Sequence, residues 1–166
     1  MIVIVLGLPG SGKSYFAGRL AEILRADYIN SDRVRKELFP KSTYSDVEKA
    51  AVYDAMRKKM EDSIAQEMNV VLDATFHKKS TRALFKQKIQ ENIRFIEVWA
   101  DEEVIKERMK RSRPYSEADY RIYKLIRKEW EPVEEDHLRL QSTNDNIDDM
   151  LERAMKYLKD DKRGNR

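Results

Sequence analysis

The chain has 166 residues, of which 41% are hydrophobic and 38% charged, and its formal net charge is +3. This length predicts one domain with a buried core, and a count of 0 Cys and 2 His excludes disulfides, thiolate nucleophiles, cysteine-ligated metals and a histidine-rich metal site. The longest apolar run, residues 1–8, is too short to cross a bilayer and lacks the basic flank of a signal peptide, which predicts a cytoplasmic protein without a membrane partner.

The first half of the chain alternates apolar runs of strand length with segments of helical spacing. The runs lack polar alternation, as expected for strands that are covered on both faces. In chain order the predicted elements are a strand at 2–6, a helix at 13–24, a strand at 28–30, a helix to 38 capped by Ser31 or Asp32, a helix from Ser45 or Asp46 to about 68, and a strand at 69–73.

The second half continues the same alternation. Its predicted elements are a helix at 79–90, a strand at 93–99, a helix from 101 that Pro114 breaks, a helix to about 130 that Ser116 and Asp119 open, a weak edge strand at 137–140 and a helix at 144–158. The charged residues 159–166 are expected to form a frayed tail. The pattern predicts a single α/β domain over 1–158, with a parallel sheet and helices on both faces.

The turn between the first strand and the first helix carries the phosphate-loop pattern, Gly7-Leu8-Pro9-Gly10-Ser11-Gly12-Lys13-Ser14. Its glycines allow backbone N–H groups to converge on phosphate oxygens at a helix N-terminus. Lys13 is expected to reach the β- and γ-phosphates of ATP, and the Ser14 hydroxyl is expected to hold Mg²⁺. The predicted nucleotide-binding residues are Gly7, Pro9, Gly10, Ser11, Gly12, Lys13, Ser14 and Tyr15.

The phosphate loop makes the fold prediction more specific. The loop resembles that of P-loop NTPases, and this resemblance implies their three-layer α/β fold, with five mostly parallel strands in the order 2-3-1-4-5. A helical lid is expected at about 101–130. The Asn-Lys-x-Asp pattern that specifies guanine is absent from the sequence, so a switch GTPase is not supported and a small kinase is favoured.

The residues after the second strand support a kinase. Asp32 follows a strand next to the phosphate loop, at the edge where open α/β sheets bind ligands. Its carboxylate is expected to accept the proton of an attacking hydroxyl. Arg35, one turn later on the same helix face, is expected to bind a phosphate of the acceptor. The alternative is that Asp32 only caps the helix that follows.

A second carboxylate, Asp73, ends the third strand and is followed by Ala74 and Thr75. A carboxylate beside the first strand is expected to lie near the water shell of Mg²⁺. Asp73 and Thr75 are also expected to contact the acceptor. The alternative is that Asp73 caps a helix or forms a hydrogen bond with the phosphate loop.

Basic and acidic residues are segregated in the second half of the chain. Residues 106–128 include nine basic and three acidic residues, whereas 131–152 include eight acidic residues and one basic residue. Arg108, Arg111 and Arg113 fall in the expected lid, where a cation stabilises a migrating phosphoryl group. Arg108 and Arg111 are therefore catalytic candidates. The alternative is a solvated basic face that pairs with nearby acids.

Together these motifs resemble the P-loop kinase domains of phage and bacterial polynucleotide 5′-kinases and their relatives, which include zeta toxins and small-molecule kinases. The resemblance rests on the turn at 7–14, the Asp32-x-x-Arg35 step, the Asp73-Ala-Thr turn and the Arg-rich segment that leads into Ser116-Glu-Ala-Asp119.

The resemblance implies roles for individual residues. Asp32 would be the general base, and Arg35 would contact the acceptor phosphate. Lys13 and Ser14 would handle the nucleotide and Mg²⁺. A lid arginine, either Arg108 or Arg111, would stabilise the transferring phosphate.

Three functions remain open at the level of the sequence. The first is a kinase for the 5′-hydroxyl end of a polynucleotide, to which the basic segment and Tyr115, Tyr120 and Tyr123 could bind. The second is a kinase for a small hydroxylated metabolite, nucleoside or antibiotic. The third is a nucleotide-binding regulatory module with little turnover. Tyr123 also has helical spacing with Ile126 and Trp130, so core packing is the alternative for its ring.

Overall fold

The computed structural model describes residues 1–87, 89, 93–111 and 120–160. Its strands are β1 Ile2–Leu6, β2 Asp27–Asn30, β3 Val70–Asp73, β4 Ile93–Trp99 and β5 His137–Gln141. Its helices are α1 Lys13–Leu24, α2 Ser31–Leu38, α3 Asp46–Ala65, α4 Lys79–Lys86, α5 Glu102–Met109, α6 Tyr120–Glu129 and α7 Ile147–Asp160. No helix in these described parts of the chain is both long and apolar enough to cross a membrane.

The strands form one five-stranded sheet in the order β2-β3-β1-β4-β5, and all the neighbouring strands are parallel. The predicted P-loop NTPase fold and its strand order are therefore confirmed. The chain leaves β1 toward one edge of the sheet and later crosses to the other edge. Open α/β sheets bind ligands at the carboxyl ends of strands where the order reverses in this way, so the turn after β1 lies at such a position.

The two faces of β1 belong to two different cores. Its even-numbered residues pack with buried side chains of α3 and α4, whereas Val3 and Val5 pack with buried side chains of α1 and α7. Successive strand side chains point to opposite faces, so an uninterrupted apolar run is what a strand covered on both sides requires. All of β1 is fully buried, which holds the following turn on a rigid support.

Helix α2 is capped by a residue that the sequence analysis did not select. Asn30 is its N-cap, and the Asn30 Oδ1 atom accepts a hydrogen bond from the Arg33 N–H at 3.0 Å. The predicted cap by Ser31 or Asp32 is wrong, because both residues lie inside the first turn of the helix. Asp32 therefore does not serve as the helix cap. Ser45 is the N-cap of α3, which confirms one of the two residues that were predicted to begin this helix.

Three predicted helix boundaries are wrong by several residues. Helix α3 ends at Ala65 because the backbone turns at Glu67, which has φ 57°. Helix α4 ends at Lys86, since Gln87 is extended. Helix α7 begins only at Ile147, because Asn146 accepts a hydrogen bond from the Thr143 N–H at 2.8 Å and holds the preceding residues in a turn.

Some predictions fall on residues that the structure does not describe. They are the arginine Arg113, the helix break at Pro114, the ring of Tyr115, the helix opening at Ser116 to Asp119, and most of the tail, 161–166. The described part of α6 begins at Tyr120.

A fully buried arginine ties the turn beyond β3 to the segment after α6. Arg82 on α4 is 0% exposed, and it donates hydrogen bonds to the Phe76 carbonyl oxygen at 2.9 Å and to the Pro132 carbonyl oxygen at 2.8 Å. The Glu135 carboxylate lies 3.5 Å from its Nε atom. Because a buried cation is tolerated only with acceptors around it, Arg82 fixes the turn that follows Asp73 against the chain leading to β5.

Candidate active site

The phosphate loop has the backbone that its glycines were expected to supply. Gly10 and Gly12 adopt φ of 82° and 88°, a left-handed conformation that side chains other than glycine rarely accept. The turn closes with a hydrogen bond from the Ser11 N–H to the Leu8 carbonyl oxygen at 3.1 Å. The Ser11 hydroxyl is buried and has no hydrogen-bond partner among the described residues. Buried polar atoms in proteins are normally hydrogen-bonded, so this hydroxyl is suited to bind a polar ligand.

The loop is packed too closely for side chains at two of its glycines. A Cβ atom on Gly7 would lie 2.2 Å from the Val98 carbonyl oxygen. A Cβ atom on Gly12 would lie 2.5 Å from the Ser142 Oγ atom and 3.0 Å from an Arg108 guanidinium nitrogen. The turn therefore packs tightly against β4 and against the loop after β5.

Replacing Gly12 by alanine should therefore destabilise the protein. The left-handed backbone alone costs a non-glycine residue about 1–2 kcal/mol, and the close contact with Ser142 adds to that cost. Gly18 is a matched control, because it lies inside α1 and an added Cβ atom there would meet only Tyr28, at 3.9 Å. Gly18→Ala should raise the free energy of unfolding by about 0.5–1 kcal/mol. Urea unfolding of both variants would measure the difference, and equal effects would contradict this description of the loop.

The residues that follow the glycines open α1 and face the site to different degrees. Lys13 is half-buried, whereas Ser14 and Tyr15 are exposed. Burial raises the pKa of the Asp32 carboxyl, and the charge of Lys13 is close enough to oppose part of that rise. The ring of Tyr15 is 63% exposed. Its packing therefore does not support the expected contact with a nucleotide.

Asp73 lies fully buried at the end of β3, beside the phosphate loop. Its Oδ2 atom accepts hydrogen bonds from the Tyr28 hydroxyl at 2.6 Å and from the Asn30 amide at 2.7 Å. The Tyr28 hydroxyl also lies 3.3 Å from the Ser14 carbonyl oxygen. Burial and the neighbouring Asp73 charge raise the pKa of Tyr28 well above its ordinary value, so Tyr28 keeps its proton as a donor. The network joins Asp73 to the start of α1 through a tyrosine.

In the described part of the chain, Asp73 neither caps a helix nor forms a direct hydrogen bond with the phosphate loop. The residues that hold Asp73, Tyr28 and Asn30, were missed by the sequence analysis. A signal for them existed, because polar residues two positions apart in a buried strand share one face. Asn30 is also the register partner of Asp73 across β2 and β3.

The chemistry of this corner fits a magnesium ion bound together with a polyphosphate. The other carboxylate oxygen of Asp73, Oδ1, is buried without a hydrogen-bond partner in the described residues, and a hard cation or its water shell is a suitable partner for it. No group of three or more acidic or histidine side chains converges anywhere in the described ranges. Mg²⁺ bound to nucleotides takes only one or two protein ligands, so the two residues predicted from the sequence, Ser14 and Asp73, would be enough to hold it.

Asp32 and Arg35 lie together at the end of β2. The Arg35 guanidinium is 3.6 Å from the Asp32 carboxylate, and the two side chains are 12% and 27% exposed. The guanidinium also lies over the ring of Tyr44, 4.6 Å from its centroid. The Arg35 Nε atom is buried and has no hydrogen-bond partner among the described residues. The guanidinium of Arg35 thus lies between the Asp32 carboxylate and the Tyr44 ring.

Burial raises the pKa of Asp32, and the nearby charge of Lys13 only partly opposes this effect. A carboxyl whose pKa is raised by folding stabilises the fold when it is protonated, and this contribution is lost as pH rises through the raised pKa. Asp32→Asn should therefore raise the midpoint of thermal unfolding at neutral pH. The difference should vanish below the ordinary carboxyl pKa of about 4. Circular dichroism at both pH values tests this, and a lower midpoint at neutral pH would contradict it.

The two arginines predicted to act from the lid, Arg108 and Arg111, occupy different places. Arg108 donates hydrogen bonds to the Gly10 carbonyl oxygen at 3.1 Å, to the Ser142 Oγ atom at 3.0 Å and to the Thr143 carbonyl oxygen at 2.9 Å. It is thus brought to the phosphate loop, where it joins that loop to the segment after β5. Arg111 follows α5 with an exposed side chain. Nothing in the sequence pattern had indicated that Ser142 and Thr143 would border the loop.

Three basic residues of the segment 106–128 form ion pairs within the chain. Lys106 and Lys110 pair with acids one turn earlier on α5, at 3.5 and 3.0 Å, and Arg127 pairs with Glu102 at 3.2 Å. The Tyr120 and Tyr123 rings are stacked on each other, with centroids 5.5 Å apart. Tyr123 is only 3% exposed, so core packing is confirmed for its ring.

The fold is similar to those of several solved small kinases. A sugar kinase from Janibacter sp. HTCC2649 has a TM-score of 0.74 and 19% identity, over 95% of this chain and 93% of that chain. A gluconokinase from Sinorhizobium meliloti 1021 has a TM-score of 0.69 and 18% identity, over 92% and 87%. An APS kinase from Mycobacterium tuberculosis, in complex with AMPPNP and APS, has a TM-score of 0.70 and 17% identity, over 95% and 96%.

At these identities the likeness shows the fold alone. No curated protein matches the chain in sequence. A family model described as an AAA domain (AAA_33) matches residues 2–133, which include the phosphate loop, Asp32, Asp73, Arg108 and Arg111. The chain therefore belongs to this AAA domain family.

Proposed function

We propose that the protein is an ATP-dependent kinase that phosphorylates a hydroxyl group of a small acceptor that carries an anionic group. The main observation behind the proposal is the position of Asp32, a half-buried carboxylate just after β2. It lies beside Arg35 and close enough to Lys13 for the lysine charge to affect its pKa. The similarity of the fold to a sugar kinase, a gluconokinase and an APS kinase supports a small acceptor.

The nucleotide would occupy the turn at 7–14. Its backbone N–H groups would bind phosphate oxygens at the N-terminus of α1, and Lys13 would neutralise the β- and γ-phosphates. Ser14 and Asp73 would hold Mg²⁺, which when bound offsets the negative charge of the phosphates. The unpartnered Ser11 hydroxyl and Asp73 Oδ1 atom support a polar ligand at this place.

Asp32 would act as the general base of the transfer. It would accept the proton of the acceptor hydroxyl while the hydroxyl oxygen bonds to the γ-phosphorus and the bond from that phosphorus to the β–γ bridging oxygen breaks. The products are the phosphorylated acceptor, ADP and a protonated Asp32, which returns its proton to solvent. Arg35 would orient the acceptor through its anionic group, and Thr75 would line the same side.

We assign residues 1–158 to one kinase domain whose lid comprises about 101–130. Arg108 would fix the base of this lid to the phosphate loop, because its hydrogen bonds to Gly10 and Thr143 join the two. Arg111, exposed just after α5, is then the better candidate for the cation that stabilises the migrating phosphoryl group.

The ion pairs and packing within the basic segment, residues 106–128, favour a small acceptor over a polynucleotide. Some of the groups that would bind a nucleic acid are paired with acids or packed within the chain, among them Arg127 and Tyr123. A 5′-hydroxyl polynucleotide stays the second candidate because Lys124 and Lys128 are exposed on α6. Binding to a nucleic acid would weaken steeply with salt, whereas binding to a small acceptor would depend on salt only weakly.

Phosphoryl transfer from γ-labelled ATP distinguishes these candidates. The protein should label members of a pool of small hydroxylated phosphates, sulfates and carboxylates, and should leave a 5′-hydroxyl oligonucleotide unlabelled. Labelling of the oligonucleotide alone would overturn the small acceptor in favour of the polynucleotide. If neither is labelled while ATP still binds, the third function, a regulatory nucleotide-binding module, would replace both.

A further inference from the structure

The loop between α2 and α3 is organised around one buried acid. Glu48, in the first turn of α3, is 8% exposed although its side chain is charged. Its two carboxylate oxygens accept hydrogen bonds from the Thr43 N–H at 2.9 and 3.0 Å and from the Tyr44 N–H at 2.9 Å. The hydroxyls of Ser42 and Thr43 donate to it as well, at 2.7 and 3.0 Å.

The Glu48 carboxylate accepts more hydrogen bonds than are needed to cap α3. The N-cap of α3 is already supplied by Ser45, whose Oγ atom accepts from the Glu48 N–H at 3.2 Å. The carboxylate of Glu48 therefore binds the loop that precedes α3 rather than the backbone of α3 itself. The donors hold its pKa below the ordinary value, with the Thr43 N–H as the largest cause, so the acid is charged when it binds the loop.

The loop that Glu48 holds has an unusual conformation at Tyr44. This residue has φ 54°, which few residues other than glycine adopt unless the surroundings fix them. With its N–H bound to Glu48, the Tyr44 ring lies against the Arg35 guanidinium, 4.6 Å from its centroid. A ring face attracts a guanidinium and at the same time restricts it to one plane.

We infer that Glu48 is a positioning residue for the acceptor site: by fixing Tyr44 it holds the Arg35 guanidinium in the orientation that binds the anionic group of the acceptor. The inference rests on the proposed function, because it takes Arg35 as the residue that binds that group. The chain of contacts runs from Glu48 to the N–H of Tyr44, from the Tyr44 ring to Arg35, and from Arg35 to Asp32 at 3.6 Å. The acceptor class that this arrangement suits is a phosphate, sulfate or carboxylate, since a planar guanidinium binds such oxyanions with two parallel hydrogen bonds.

Two variants disrupt this series of contacts at different places. Glu48→Gln keeps the size of the side chain and removes its charge, and Tyr44→Leu removes the ring while leaving the carboxylate. Tyr44→Phe keeps the ring and is the conservative partner of Tyr44→Leu. Asp46→Asn is the matched control for Glu48→Gln, because Asp46 is also an acid in the first turn of α3 but is fully exposed and pairs with Lys49 at 3.9 Å.

The first readout is spectroscopic and does not depend on catalysis. A ring face shifts the proton signals of the side chain stacked on it, so the Arg35 δ-protons should have displaced NMR signals, assigned by their loss in Arg35→Lys. Glu48→Gln and Tyr44→Leu should return these signals toward their ordinary positions, whereas Asp46→Asn should not. Unchanged Arg35 signals in Glu48→Gln, in a protein whose amide spectrum is otherwise that of the wild type, would overturn the inference.

The second readout is the affinity for inorganic phosphate when the phosphate loop is saturated with Mg²⁺ and AMPPNP. Loss of a partly buried cation–π contact and of the fixed orientation should weaken phosphate binding by about 3–10-fold in Glu48→Gln and in Tyr44→Leu. Tyr44→Phe should bind more tightly than Tyr44→Leu, and Asp46→Asn should match the wild type.

The outcomes separate this inference from the proposed function. If the wild type binds phosphate and Glu48→Gln binds it equally well, only the positioning role is overturned. If the saturated wild type binds no phosphate, the anion subsite of the proposed function is overturned, and the positioning role falls with it. A shifted Arg35 signal together with weakened phosphate binding supports both.

Discussion

Replacing Asp32 by asparagine should lower kcat for phosphoryl transfer by about 10²–10⁴-fold, the range expected for loss of a general base. The amide keeps the shape of the carboxylate but cannot accept the proton of the acceptor hydroxyl. Because Asp32 would not touch the polyphosphate, the affinity for ATP should change little. Steady-state kinetics with the labelled acceptor, combined with calorimetric titration of ATP, would measure both quantities.

Glu37→Gln is the matched control for this variant. Glu37 lies on the same helix, is 59% exposed and pairs with Lys59 at 3.1 Å, away from the site. It should retain wild-type kcat. If Asp32→Asn also retained wild-type kcat, Asp32 would not be the base. If the variant lost ATP binding instead of turnover, its role would be in holding the nucleotide.

Replacing Arg82 by methionine should lower the free energy of unfolding by about 3–5 kcal/mol, the usual cost of removing one partner from a buried charged network. The variant would leave the Phe76 and Pro132 carbonyl oxygens without their donor. It would also leave the carboxylate of Glu135, which is 14% exposed, without its nearest arginine. The loss should be visible as a lower urea midpoint by circular dichroism.

Arg57→Met provides the comparison for a partly exposed arginine. Arg57 is 28% exposed and pairs with Asp54 at 2.8 Å and Glu61 at 3.4 Å on α3. Pairs of this kind contribute about 0–1 kcal/mol, so this variant should be nearly as stable as the wild type. Equal losses in the two variants would contradict the role assigned to Arg82.

The order of the elements could be predicted from the sequence because it depends on local signals. The apolar run at 2–6, the glycine pattern at 7–14 and the acids that follow two strands are all readable from neighbouring residues. They suffice for the P-loop fold, and the position of Asp32 beside Arg35 follows from a spacing of one helical turn. The exact helix ends were less predictable, because a single backbone turn, as at Glu67, decides them.

The partners of the site residues could not be predicted because they are distant in the chain. Asp73 is held by Tyr28, 45 residues away, and Arg108 reaches Gly10 across 98 residues. Arg82 lies in a charged helix and has the sequence pattern of an exposed residue, yet three-dimensional packing buries it completely. Glu48 likewise has the pattern of an ordinary acid in a first helical turn, and only the fold of the preceding loop gives it its partners.

A crystal structure with Mg²⁺ and a non-hydrolysable ATP analogue tests the central claim most directly. We expect the β- and γ-phosphates inside the turn at 7–14, with Lys13 on their oxygens and the metal between Ser14 and Asp73. The Asp32 carboxylate should face the open side of the γ-phosphorus. A polyphosphate bound elsewhere, or an Asp32 side chain that points away from the γ-phosphate, would contradict the account.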